Sequence, residues 1–118
     1  MEREWDLRER LVQFAIRIIK LCAALPNTPE RRVVRNQLLR CGTSPGAQYR
    51  EACRARSQAE FISKIESSQQ ELDETDYWLL ILERTEMIKK AKLIPLQNET
   101  RELIRIFATS ARTAKSKR

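Results

Sequence analysis

The sequence contains no histidine and only two glycines, Gly42 and Gly46. The first absence removes imidazole acid–base catalysis, His-based nucleophile triads and His metal sites. Cysteine is also sparse. Cys22, Cys41 and Cys53 are an odd, widely spaced set with no Cys-x-x-Cys pair, which argues against a disulfide framework or a zinc site. They read as small buried hydrophobes. No apolar run approaches the roughly 20 residues of a membrane-spanning helix. The start, MEREWDLRER, has no apolar core of a signal peptide. We expect a cytoplasmic chain with no cofactor, no metal and no membrane contact, and we expect it not to be an enzyme. Strand signals are missing as well: there is no sustained alternation and no Asn-Gly or Asp-Gly turn.

What remains is helix. The 118 residues suggest one domain, with 42% hydrophobic and 33% charged side chains. Leu7, Leu11, Phe14, Ile18, Cys22 and Leu25 line one face of a helix over residues 6–24. Pro26 stops it. Thr28-Pro29-Glu30 opens the next, with a capping hydroxyl, a proline suited to the first position and an acid at the positive end of the dipole. Val34, Leu38 and Cys41 give that helix an inner face, and it is expected over residues 29–56. Ser57-Gln58-Ala59-Glu60 is a capping box. From it Phe61, Ile65, Ser68, Leu72, Thr75, Leu79 and Leu82 run in fours and threes, the seam of a bundle helix over residues 58–86. Trp78 and Ile81 widen its apolar surface and suggest a second contact. The last helix is expected over residues 90–114, with Leu96, Leu103, Ile106 and Phe107 inward. The fold class is therefore all-α, an antiparallel up-down-up-down four-helix bundle.

Both glycines and Pro45 fall in one stretch, CGTSPG, at residues 41–46. A phosphate loop would need a following Lys-Ser/Thr and a preceding strand, and has neither. A helix-turn-helix would use Ser44 and Pro45 to start a recognition helix carrying Gln48, Tyr49, Arg50 and Arg54. A packed bend fits the neighbouring long helices better. Gly42 and Gly46 share one helical face, so another helix can come close. The carbonyl near Cys41 that Pro45 frees would look to Thr43 or Ser44. We expect one long second helix, bent near Gly42 and Gly46.

The stretch LLRCGTSPGAQYREACRARSQAEFISKIESSQQELDETDYWLLIL resembles a family of small bacterial four-helix-bundle proteins encoded by intervening sequences of large-subunit ribosomal RNA genes. The accessory variability protein of diversity-generating retroelements shares that fold class. The likeness is strongest over residues 37–82. Its most specific parts are Tyr49-Arg50-Glu51-Ala52, the start at Ser57 with Glu60-Phe61, and Glu74-Thr75-Asp76-Tyr77-Trp78. Pro45 and Gln48 depart from the commoner isoleucine and asparagine. The resemblance implies an antiparallel bundle in a ring-like homopentamer and no enzyme activity. For retroelement members it implies binding to nucleic acid and to a reverse transcriptase.

Charge alternates by segment within a net +7. Residues 29–56 carry seven arginines against Glu30 and Glu51, whereas residues 57–86 carry eight acids against Lys64 and Arg84. Opposite segments should hold helices or subunits in register. Arg50, Glu51, Arg54 and Glu74 are the expected contacts, joined by Gly42, Gly46, Tyr77 and Trp78. Arg31, Arg32, Arg35, Lys89, Lys90, Lys92, Arg105, Arg112, Lys115, Lys117 and Arg118 have few acids nearby. They are the expected contacts to a nucleic-acid backbone, with RNA favoured over DNA, and packing should gather several of them at one end. Aromatic residues are not interleaved with basic ones along the chain, so backbone contact is expected rather than base stacking. The leading reading is an oligomeric, nucleic-acid-binding bundle that could serve a reverse transcriptase or ribonucleoprotein. A purely structural interaction module and a helix-turn-helix regulator stay open.

Overall fold

The computed structural model describes residues 4–117, and side chains from residue 6. It contains α1 (Glu4–Ala23), α2 (Pro29–Cys53), α3 (Gln58–Arg84) and α4 (Lys90–Ser116). The ends behave as their residues dictate. Thr28 Oγ1 accepts from the Arg31 N–H, and Ser57 Oγ accepts from the Glu60 N–H. The Glu60 carboxylate reaches back to the Arg56 N–H. The end of α3 has a signal that sequence reading lacked. Glu86 sits at φ 57 and the Met87 N–H returns to the Leu82 carbonyl, a helix stop usually built on glycine.

Contacts between helices fix their directions. Along α1 and α2, Leu11 meets Gly46, Ile18 meets Gly42, and Cys22 meets Arg35. Along α2 and α3, Arg40 faces Glu74 and Glu51 faces Lys64. Along α3 and α4, Gln58 reaches Ala114, Asp76 pairs with Arg101, and Glu83 bonds Gln97. In each pair one number rises as the other falls, so sequential helices are antiparallel. α1 and α4 touch little. The bundle measures 47 × 23 × 21 Å. One end carries the α1–α2 and α3–α4 connections; the other carries the α2–α3 connection and the described termini.

The core follows the sequence pattern closely. Leu7, Leu11, Phe14, Ile18, Cys22 and Leu25 are all buried on α1. On α3 the seam enters one residue later than expected: Ile62 is buried and Phe61 is only half-buried. Ile106 of α4 is likewise half-buried, while Leu93, Gln97 and Thr100 are buried. Among the described residues, no helix is long and apolar enough to cross a membrane.

α2 is one continuous helix through CGTSPG. It has no corner at Ser44, which removes the helix-turn-helix reading. Thr43 and Ser44 do not serve the carbonyl that Pro45 frees. In a helix their hydroxyls reach the carbonyl four residues back, so they bond Leu39 and Arg40. Gly42 lies under Ile18: an added Cβ would stand 2.8 Å from Ile18 Cγ1 and Cγ2. At Gly46 the nearest atom would be Leu11 Cβ at 3.5 Å, an ordinary contact.

The two glycines therefore predict opposite outcomes. Gly46→Ala should stabilise by up to ~1 kcal/mol, the usual helical gain. Gly42→Ala should destabilise by ~1–3 kcal/mol through overpacking against a β-branched side chain. Urea unfolding of both variants checks the sign, and adding Ile18→Val should recover part of the Gly42→Ala loss.

Candidate nucleic-acid interface

The acidic α3 spends much of its charge inside the molecule. Arg40 pairs with Glu71 at 3.6 Å and Glu74 at 2.6 Å. Lys64 pairs with Glu51 at 2.8 Å, and that partner raises the lysine above its ordinary value. The Trp78 N–H points at Glu74, 3.4 Å away. Arg50 and Arg54, expected to face these acids, are exposed instead. The reason is register. The turn at residues 54–57 folds α3 back so that residue 40, and not residue 50, lies opposite residues 71–74. Sequence reading passed over Arg40, although the turn position was enough to find it.

On the other side Arg10 clamps α1 to α4. Its Nε and Nη2 donate to the two oxygens of Glu99 at 2.7 and 2.8 Å, and Nη2 also reaches Glu102 at 2.8 Å. This hydrogen bond holds the Glu102 carboxyl below its ordinary value. Glu83 is lowered too, first by its bond from Gln97 and then by nearby cations.

The expected backbone contacts divide between two ends. Arg31, Arg32, Lys89, Lys90 and Lys92 lie at the connection end. Arg105, Arg112, Lys115 and Lys117 lie toward the terminal end, along an α4 that rises roughly 40 Å over its length. They do not form one patch, because antiparallel packing puts the start and finish of α4 at opposite ends. Arg118 lies outside the described residues.

Their freedom also differs. Arg35 is half-buried and fully engaged. Its guanidinium donates to the carbonyls of Cys22, Leu25 and Pro26 at 3.2, 2.6 and 3.1 Å, closing the C-terminus of α1. Arg31 is half-buried and bonds Thr28. Lys90 lies 3.8 Å from Glu83, Lys115 pairs with Glu66, and Arg112 bonds Thr109. Arg32, Lys89, Lys92, Arg105 and Lys117 are exposed, and no ion pair or side-chain hydrogen bond holds them among the described residues. α4 also starts without a side-chain cap and without an acid in its first turn.

Two apolar surfaces stand exposed, and the second was passed over in the sequence reading. Tyr77 is 53% exposed, against Trp78 in an edge-on pair with centroids 5.0 Å apart. Val12, Ile16 and Ile19 form an exposed apolar stripe on α1. Their four-and-three spacing puts them on one face, so that stripe was readable in advance. Burial pushes the thiols of Cys22 and Cys41 up to about 11, far from a reactive thiolate. Among the described residues no cluster of His, Cys, Asp and Glu could hold a metal ion.

Residues 3–109 match the family described as 23S rRNA-intervening sequence protein. The chain belongs to this family. A solved structure from Bacteroides thetaiotaomicron VPI-5482, a protein of unknown function from the S23 ribosomal protein family, is similar in both sequence and shape. It shares 36% identity at a TM-score of 0.83, over 88% of this chain and 96% of that one. No curated protein matches. The family places the four-helix architecture on firm ground, and the link to retroelement proteins is not part of that finding.

The Arg10 clamp predicts a pH dependence. A carboxyl lowered in the folded state adds stability above its ordinary value of 4.5, and that stability disappears as pH falls through the lowered value. Arg10→Gln should lower the urea midpoint at neutral pH. It should also make the loss of stability below pH 4.5 shallower than in the parent. Urea midpoints measured across that range check both effects.

Proposed function

We propose that this protein is a non-enzymatic, oligomeric bundle that binds RNA in the cytoplasm through its basic ends. The observation that carries the reading is the set of unpaired cations. Arg40, Lys64, Arg10 and Arg35 are consumed in holding the fold, whereas Arg32, Lys89, Lys92, Arg105 and Lys117 stand in solvent. Fold stability does not account for them. Each neutralised phosphate releases counterions, which is how such a surface gains affinity without reading sequence. A family named for ribosomal RNA intervening sequences supports RNA as the polymer.

Assembly is the second half of the proposal. The stripe of Val12, Ile16 and Ile19 and the exposed ring of Tyr77 are apolar surfaces that a single copy leaves in water. A homopentamer, as the resemblance implies, would cover them and multiply the cationic ends. Arg50, Arg54 and Trp78 lie on surfaces available to such contacts. No feature described above favours a reverse transcriptase as a partner over any other protein.

The test is salt. If four phosphates are neutralised, affinity for an RNA hairpin should fall roughly 100-fold between about 50 and about 200 mM salt. Combined Lys89→Ala and Lys92→Ala should flatten that dependence and leave the urea midpoint unchanged. Light scattering should give an oligomer at micromolar concentration. Assembly without RNA binding at low salt would leave a structural interaction module; a monomer would defeat the ring.

A further inference from the structure

A groove of about 720 Å³ opens toward the terminal end of the bundle, lined by Leu7, by Phe61 and by α4 from Glu102 to Lys117. Its floor is apolar and its rim carries Arg105 and Lys117. A second hollow, of about 510 Å³, shares Tyr49, Gln58 and Phe61 with the first and includes Arg56 in its lining. Phe61 lines both hollows, a half-buried aromatic ring that shares one with Arg56 and the other with Arg105 and Lys117, all three exposed. Glu102 also lines the groove, but it is held by Arg10. Glu60 near Arg56 bonds that residue's backbone N–H.

Alternation of a stacking surface with cations is the signature of a single-strand platform. Along the chain it is invisible, because Arg56, Phe61, Arg105 and Lys117 come from the α2–α3 turn, α3 and α4. Only folding brings them together. A duplex offers such a floor nothing, since its bases are stacked inside and its exterior is phosphate and sugar. An unpaired base offers a π-face to Phe61 and a phosphate on each side. Thr109 and Thr113 on the rim add exposed hydroxyls, which can both donate to and accept from a ribose 2′-OH.

We propose that the terminal end of the bundle binds single-stranded RNA, with one unpaired base stacked on Phe61 and the flanking phosphates held by Arg105 and Lys117 on one side and Arg56 on the other. The proposal rests on the RNA-binding reading above and adds the strand form and the place. Four labelled probes test it by fluorescence anisotropy on the full chain: an oligouridine about twelve nucleotides long, within the range of single-strand sites, its abasic counterpart, the matching DNA, and an RNA duplex. The oligouridine should bind about tenfold more tightly than the abasic strand, the affinity of one stacked base. It should also bind more tightly than the DNA. Phe61→Leu should erase the advantage over the abasic strand and leave duplex binding alone. Combined Arg56→Ala and Lys117→Ala, at exposed positions, should weaken oligouridine more than Lys89→Ala with Lys92→Ala does. Equal affinity for the abasic strand, or an advantage that survives Phe61→Leu, would overturn the stacking site. Equal affinity for DNA would overturn the assignment to RNA. Duplex binding with no preference for oligouridine sinks this inference alone; binding of none of the four at low salt sinks the RNA-binding reading with it.

Discussion

Ile18 rests on helix backbone where α2 has no side chain. That contact at Gly42 sets how α1 lies, and most of the molecule follows from it. With 2.8 Å available to an added carbon, no other residue fits without displacement. The close approach lets Leu11, Phe14 and Ile18 sink fully into the core. It also brings the end of α1 near enough for Arg35 to bond the Cys22 carbonyl and, in the connection that follows, those of Leu25 and Pro26. Beyond its packing on α2 and in the core, α1 is tied to α4 chiefly by the Arg10 clamp.

Electrostatics divides the same way, between charges that position helices and charges left over. The pairs from α2 to α3 sit at 2.6 to 3.6 Å. Partly exposed pairs of this kind contribute little each, about 0–1 kcal/mol. Their value lies in choosing a register, since a slip would face like charges. Once those partners are matched, the surplus of a +7 chain remains at the two ends. The exposed cations are therefore a property of the fold's arrangement and not simply of composition.

Much of the fold was legible. Helical spacing, Thr28-Pro29, the capping box at Ser57 and the near absence of glycine leave few architectures, and each helix boundary fell within a few residues of expectation. Where reading failed, three-dimensional register was the cause. Arg35 looked free because its partners are backbone carbonyls, which no charge pattern reveals. Within one copy Arg50 and Arg54 do not meet the α3 acids, because the turn at residues 54–57 gives those acids to Arg40. Phe61 was taken for a core residue because it begins a regular seam; Ile62 fills that place. The stop at Glu86 hid because a glutamate occupies a conformation that usually announces itself with glycine. The groove was beyond reach, since its lining comes from residues far apart in sequence that only packing brings together.

The topology carries one more consequence. Every extensive packing surface joins helices that are neighbours in the chain, so closing contacts requires only short loops. Folding should be rapid for a chain of this length, since loop-closure entropy is low at each step. Opening should be uneven. A helix secured on one flank by a glycine hollow and on the other by a single guanidinium is the natural first unit to detach. Its departure would bare the inner faces of α2 and α4 while α3 keeps both its neighbours.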